Sequence, residues 1–173
     1  MKFTFALLAL AVLVAPAAAA PTDPPPPDCP PGSQTTLYRL WNNGINDHFF
    51  TTDPAEVKEY SGLGYVQENI PSIRIYKSPA YGTVPFQRVY SAHAKDHLYT
   101  NDDDEVRFSQ SMGYKPKSSI GFILPQPCRG SKPLHRLWNE QTLNHFYTAD
   151  VPERDKFVSQ NGYKYEGVVA HVL

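Results

Sequence analysis

No excess of charge of either sign marks this chain. Lys and Arg number 16 and Asp and Glu 17, a formal net charge of −1. A dedicated nucleic-acid binder presents a basic face, so that class is set aside. Cysteine is scarce: Cys29 and Cys128 are the only two, which excludes a multi-bridge framework and leaves one possible pairing. No apolar run after residue 20 approaches the about 20 residues that a membrane-spanning helix needs. Local metal-ligand spacing is missing as well, and no unique Ser-His-Asp or Cys-His constellation stands out. What the chain does hold is 41% apolar residues, enough for a core, and 13% aromatic residues. Pro is frequent at 17, with eight of them before residue 33.

Met1-Lys2, the apolar run Phe3 to Val14 and the small residues ending at Ala20 read as a secretory signal peptide, residues 1–20. Its removal would take Lys2 with it and leave a net charge of −2. Residues 21–34 begin Pro-Thr-Asp-Pro-Pro-Pro-Pro-Asp-Cys-Pro-Pro-Gly. Pro lacks the N–H and fixes φ, so this segment is expected to be an extended stalk. In an oxidising compartment Cys29 and Cys128 are expected to form a disulfide, tying the stalk to a later Pro-rich connector.

The rest of the chain repeats. Leu37 to Trp41, Phe86 to Tyr90 and Leu134 to Trp138 each hold an Arg, at 39, 88 and 136. Nine residues after each Arg comes a His, at 48, 97 and 145. Five residues further stands an Asp, at 53, 102 and 150, and each unit later reaches Gly-Tyr. The period is 49 and then 48 residues, the signature of a repeat architecture. Each unit reads as a hairpin of two short strands, then a helix started by an Asp cap with Glu three residues on (Glu56, Glu105, Glu153), then an apolar strand. Those closing strands are expected at Ser72 to Tyr76, Ser119 to Leu124 and Gly167 to Leu173. One unit cannot bury both faces of such strands, whereas three can share a core. The expected fold is mainly β with short helices: one domain over residues 35–173, with repeats at about 36–82, 83–131 and 132–173. Its form is a pseudo-threefold, three-bladed propeller-like ring, with a β-trefoil-like arrangement as the alternative.

The pattern Leu-x-Arg-x-[Trp/Tyr], then [Asp/Asn]-His-[Phe/Leu]-[Phe/Tyr]-Thr-x-Asp-x-x-Glu, then Gly-Tyr resembles a secreted three-repeat domain of unknown function. That domain occurs alone in fungal proteins and appended to hydrolases in bacterial cell-surface proteins. The attachment implies a binding module. Unit two departs furthest: Tyr90 replaces Trp, Leu98 replaces Phe, and Pro116-Lys117 stands where unit three has Glu166.

Arg39, Arg88 and Arg136 lie mid-strand between apolar neighbours, and Arg is rarely buried without a partner. The capping Asp of the same unit is the expected partner. Each Arg shares a strand face with an aromatic ring, Trp41, Tyr90 or Trp138. Such a pair suits a cation–π brace, or a sugar site in which the ring stacks on a pyranose and Arg bonds its hydroxyls. His48, His97 and His145 read as structural or binding residues rather than as a zinc set. No metal and no cofactor is implied. Threefold repetition argues against catalysis, which needs asymmetry around one bond. The expected function is a secreted, non-catalytic module binding a carbohydrate or cell-wall glycan, with no nucleic-acid partner and no membrane association after signal cleavage. A secreted hydrolase or hydrolase inhibitor, and an effector with a protein partner, are the alternatives from other classes.

Overall fold

The structure, a computed structural model, describes residues 24–173. The expected signal peptide lies outside the described residues. Strand β1 (Gln34–Thr36) precedes three passages of like order. The first is β2 (Tyr38–Asn42), β3 (Asp47–Thr51), α1 (Pro54–Gly62) and β4 (Val66–Gln67), followed by β5 (Arg74–Tyr76). The second, opened by β6 (Val84–Pro85), is β7 (Gln87–Ser91), β8 (Asp96–Thr100), α2 (Asp103–Ser111) and β9 (Lys115–Pro116), followed by β10 (Phe122–Ile123). The third is β11 (Lys132–Asn139), β12 (Asn144–Thr148), α3 (Val151–Gln160) and β13 (Lys164–Val172). The chain is mainly β with three short helices, in several small sheets, none of them a closed barrel among the described residues.

Three of the sheets have three strands each, ordered β3-β2-β4, β8-β7-β9 and β12-β11-β13. Their hairpins share one register: Trp41 pairs with His48, Tyr90 with His97 and Trp138 with His145. The residue that closes each hairpin is left-handed: Asn46 at φ 53°, Lys95 at 58° and Leu143 at 53°. Asn adopts that region readily and Leu does not. The helices begin as their Asp residues dictate. Asp53 accepts from the Ala55 amide, Asp102 from Asp104 and Glu105, and Asp150 from Glu153. The Gly of each Gly-Tyr follows the helix at positive φ, as a C-terminal capping glycine does.

In two of the three small sheets the third strand differs from expectation. In units one and two it is formed by the residues directly after Gly-Tyr, not by the apolar closing segment. In units one and two that segment leaves its own hairpin, and β5 and β10 pair with each other in a fourth sheet, ordered β1-β5-β10-β6. In unit three β13 is long enough to cover both stretches, pairing with β11 along its length. The short β4 and β9 satisfy the hairpin edge, which frees the apolar segments to cross to the shared core. Gly121 permits the crossing: a Cβ there would stand 2.8 Å from the Tyr76 carbonyl oxygen and 2.8 Å from Ile75 Cδ1.

The core is divided to match. Each unit keeps a small cluster of its own, such as Leu40, Phe49 and Tyr65 in unit one. The main cluster is shared among all three units. At its centre the rings of Phe50, Tyr99 and Tyr147 meet edge to face, with centroids 5.4, 5.6 and 5.6 Å apart. The Tyr99 hydroxyl donates to the Phe50 carbonyl and accepts from the Phe50 amide. Tyr147 does the same to Tyr99. Phe50 has no hydroxyl to continue the series, and the Tyr147 carbonyl accepts from Arg39 Nη1 instead.

Cys29 and Cys128 are disulfide-bonded, with Cα atoms 4.9 Å apart. Cys128 is buried rather than exposed, inside a cluster with Tyr76 and Leu124. The end of the Pro-rich segment is docked there too: Asp28 bridges Arg129, and the Tyr76 hydroxyl donates to the Pro30 carbonyl.

Candidate functional site

The repeated polar residues meet at the joints between units, and the joints form a cycle. Arg39 of unit one reaches Glu153 of unit three, Arg88 of unit two reaches Glu56 of unit one, and Arg136 of unit three reaches Glu105 of unit two. The N–O distances are 2.7, 2.8 and 2.8 Å. The expected partner, the capping Asp of the same unit, is therefore corrected. Those Asp side chains are committed to helix amides, and each Arg extends across its joint. The helix-start Glu does not complete a capping box either. Thr51 donates to Glu56 and accepts from the Asp53 amide, leaving the carboxylate to face Arg88. Burial by itself would raise the Glu56, Glu105 and Glu153 carboxyls, but the hydrogen-bonded guanidinium and the Thr hydroxyl outweigh it and hold all three below the ordinary range.

A second carboxylate joins two of the three arginines. Arg39 Nε donates to Glu68 and Arg136 Nε to Glu166, each at 2.7 Å. In unit two Lys117 takes that place, since its amide bonds Arg88 O as the Glu68 amide bonds Arg39 O. Arg88 Nε is accordingly buried without a partner.

The histidines run round the same cycle. His97 Nδ1 meets Asp47 and His145 Nδ1 meets Asp96, both at 2.6 Å, while His48 Nδ1 meets Asn144 at 2.8 Å. Tyr65, Tyr114 and Tyr163, the tyrosines of Gly-Tyr, donate to the same Asp47, Asp96 and Asn144. Sequence reasoning missed that role, though the invariant pairing with Gly was the available signal. Burial, with Arg39 nearby, lowers the His48 pKa to about 3, so its ring is neutral. Each His is engaged at its own joint. Among the described residues no group of three His, Cys, Asp or Glu side chains is placed to hold a metal ion.

Trp41, Tyr90 and Trp138 lie partly exposed over these histidines, with ring centroids 4.2, 4.4 and 4.4 Å away. Behind each Arg the joints differ. Arg39 lies over the Phe146 ring at 4.8 Å and Arg88 over Phe49 at 5.1 Å. Each of those rings carries a second one stacked on it from the helix: Phe157 at 3.7 Å and Tyr60 at 3.5 Å. At the joint of units two and three, Leu98 and Ser109 stand in the two positions. With both rings missing, 13% of the Arg136 side chain is exposed, against 1% for Arg39 and 5% for Arg88.

Two pockets occupy equivalent places at the joints and differ in chemistry. The first, about 280 Å³ between units one and three, has Trp41 and His48 on one side and Phe157 and Tyr163 on the other. Its rim is polar: Asn46, Glu68, Thr142 and Asn161. Asn144, bonded to both His48 and Tyr163, has its Nδ2 buried without a partner. The second, about 380 Å³ between units two and three, has Trp138 and His145 facing Tyr114. Leu143 replaces Asn46 there, Ala94 replaces Thr142 and Met112 replaces Asn161, so its rim is more apolar, although Glu166 stands where the first has Glu68 and His93 also lines it.

The chain belongs to the family described as Domain of unknown function (DUF5648), whose model matches residues 36–173. No curated protein and no solved structure matches it.

Proposed function

We propose that this DUF5648 chain is a secreted, non-catalytic binding module that takes a carbohydrate in the Trp41 pocket. The reading includes a pseudo-threefold, propeller-like arrangement of units, for which the cyclic Arg–Glu and His–Asp/Asn contacts are the support. The observation that carries it is a partly exposed indole facing a polar rim in one pocket of about 280 Å³. A flat ring offers a stacking surface for the apolar face of a pyranose. Asn46, Asn161 and Glu68 supply amide and carboxylate groups for its hydroxyls, in a pocket close to small-ligand size. The arginines do not serve here as direct sugar contacts, because Arg39 is buried and its nitrogens are taken by Glu68, Glu153 and the Tyr147 carbonyl. Hydrolytic chemistry is disfavoured on the same grounds. A glycosidase acid needs a raised pKa, and Glu56, Glu105 and Glu153 are held low by Arg.

The test is a glycan array on the mature protein, with hits measured by calorimetry against Trp41→Ala. Binding should weaken at least tenfold, while the melting temperature stays within a few degrees of the parent. A silent array, or a hit indifferent to Trp41→Ala, defeats the proposal.

A further inference from the structure

The cleft between units two and three calls for a different ligand. We infer that it binds a single-ring aromatic molecule, lodged where the other two joints keep a ring of their own. The protein supplies the template. At the joint of units one and two, Tyr60 stacks on Phe49 and lies 6.0 Å from His97. At the joint of units one and three, Phe157 stacks on Phe146 and lies 6.3 Å from His48. Two independent joints thus place an aromatic ring beside the same His, with an Arg behind it. At the third joint the helix contributes Ser109 instead, yet the surrounding Arg136, His145 and Tyr114 are retained. The outcome is a cleft of about 380 Å³, within the range of small-molecule sites.

Polarity narrows the class. Arg136 is already bonded through Nε to Glu166 and through Nη1 and Nη2 to Glu105. His145 Nδ1 is taken by Asp96. Glu166, the counterpart of Glu68, and His93 are the polar groups left in the lining, outweighed by its apolar side chains, and the guanidinium can still lie against a ring face. The rim agrees. Phe108 and Met112 are 68% and 66% exposed, and Leu143 holds a left-handed turn where unit one has Asn46. Surface apolar groups gathered at a cleft mark a binding site. Phe108, Met112 and Leu143 offer nothing to a peptide backbone, the polar groups of the lining such as His93 and Glu166 are few, and the space left by one missing ring sets the size of the occupant. The ligand is therefore a free, phenol-sized molecule.

The experiment titrates p-cresol and 4-methylcyclohexanol into the disulfide-bonded mature protein, following the Trp138 indole N–H by NMR. p-Cresol is expected to bind at least tenfold more tightly than its saturated analogue. Ser109 is buried and donates to the Val106 carbonyl; Ser109→Tyr, which restores the template ring, should weaken p-cresol at least tenfold. Leu143→Asn restores the residue of unit one at an exposed turn, so it folds even where the first variant does not; it should lower p-cresol affinity several-fold. Equal affinity for the two probes overturns the inference, as does p-cresol binding unchanged in Leu143→Asn. A capped tyrosine peptide binding more than tenfold tighter than p-cresol would assign the cleft to a protein partner and overturn it too. Ser109 lies away from the Trp41 pocket, so glycan binding measured in Ser109→Tyr succeeds or fails independently.

Discussion

Replacing Arg39 with Ala is the most informative perturbation of the joints. Its side chain is 1% exposed and sits between Glu68 and Glu153, both at 2.7 Å. Its guanidinium also covers the Phe146 ring and bonds the Tyr147 carbonyl. Removing one partner of a buried pair costs about 3–5 kcal/mol, because the remaining charge is left uncompensated. The two glutamates are 29% and 27% exposed and can turn part-way to water, which places the effect at the low end. About 3 kcal/mol corresponds to a melting temperature lower by roughly 6–12 °C for a domain of this size. The pH dependence gives a second check. Burial raises the Glu153 carboxyl, but Arg39 outweighs it and holds the pKa below the ordinary value. A depressed carboxylate contributes stability above its unfolded pKa of about 4.3, and that stability is lost as pH falls through the folded value. Without Arg39 the depression disappears, so parent and variant should converge below about pH 4. Thermal melts from pH 7 to pH 3 measure both effects. A variant melting within 2 °C of the parent at pH 7 (roughly 1 kcal/mol or less), or a gap that does not narrow in acid, would refute the buried-brace argument.

Two further outcomes follow from the same joints. Lys117→Glu should supply the acceptor that Arg88 Nε lacks; after the loss of the Lys117–Tyr90 contact it should stabilise by about 1 kcal/mol in chemical denaturation, and a net loss would count against it. His48 is buried and neutral with a pKa of about 3, so the unfolded chain binds its proton first; stability should decline as pH falls from about 6.5 to about 3, and His48→Gln should flatten that decline in denaturant titrations, an unchanged slope arguing otherwise.

Much of the local structure was legible along the chain. The shared spacing of Arg39 and His48 with their counterparts foretold hairpins of one register, and Asp53, Asp102 and Asp150 foretold the helix starts. These features rest on nearest-neighbour chemistry: alternation, turns and caps. The pairing of Cys29 with Cys128 was legible by elimination. The carboxylate partners of the arginines were not, because Glu153 lies 114 residues from Arg39 and carries an equally good local explanation at a helix start. The departures of unit two were visible as letters. Leu98 and Lys117 stood out, but nothing local tied Leu98 to Ser109 or either of them to Arg136.

The sequence by itself determined the repeat, the β-rich units, their helix starts and the residues that recur in each unit. Only the tertiary structure decided which unit each Arg and His would serve, and that β5 and β10 would leave their hairpins to pair with each other. It also decided that one joint of three would open into an apolar cleft. The physical reason is the range of the forces. Backbone propensity and capping act over a few residues, whereas ring stacking and ion pairing between units depend on which surfaces are brought face to face. A missing ring at Ser109 is a change of one letter along the chain. It becomes a cleft only because a neighbouring unit supplies Arg136, Trp138 and His145 as the opposite wall.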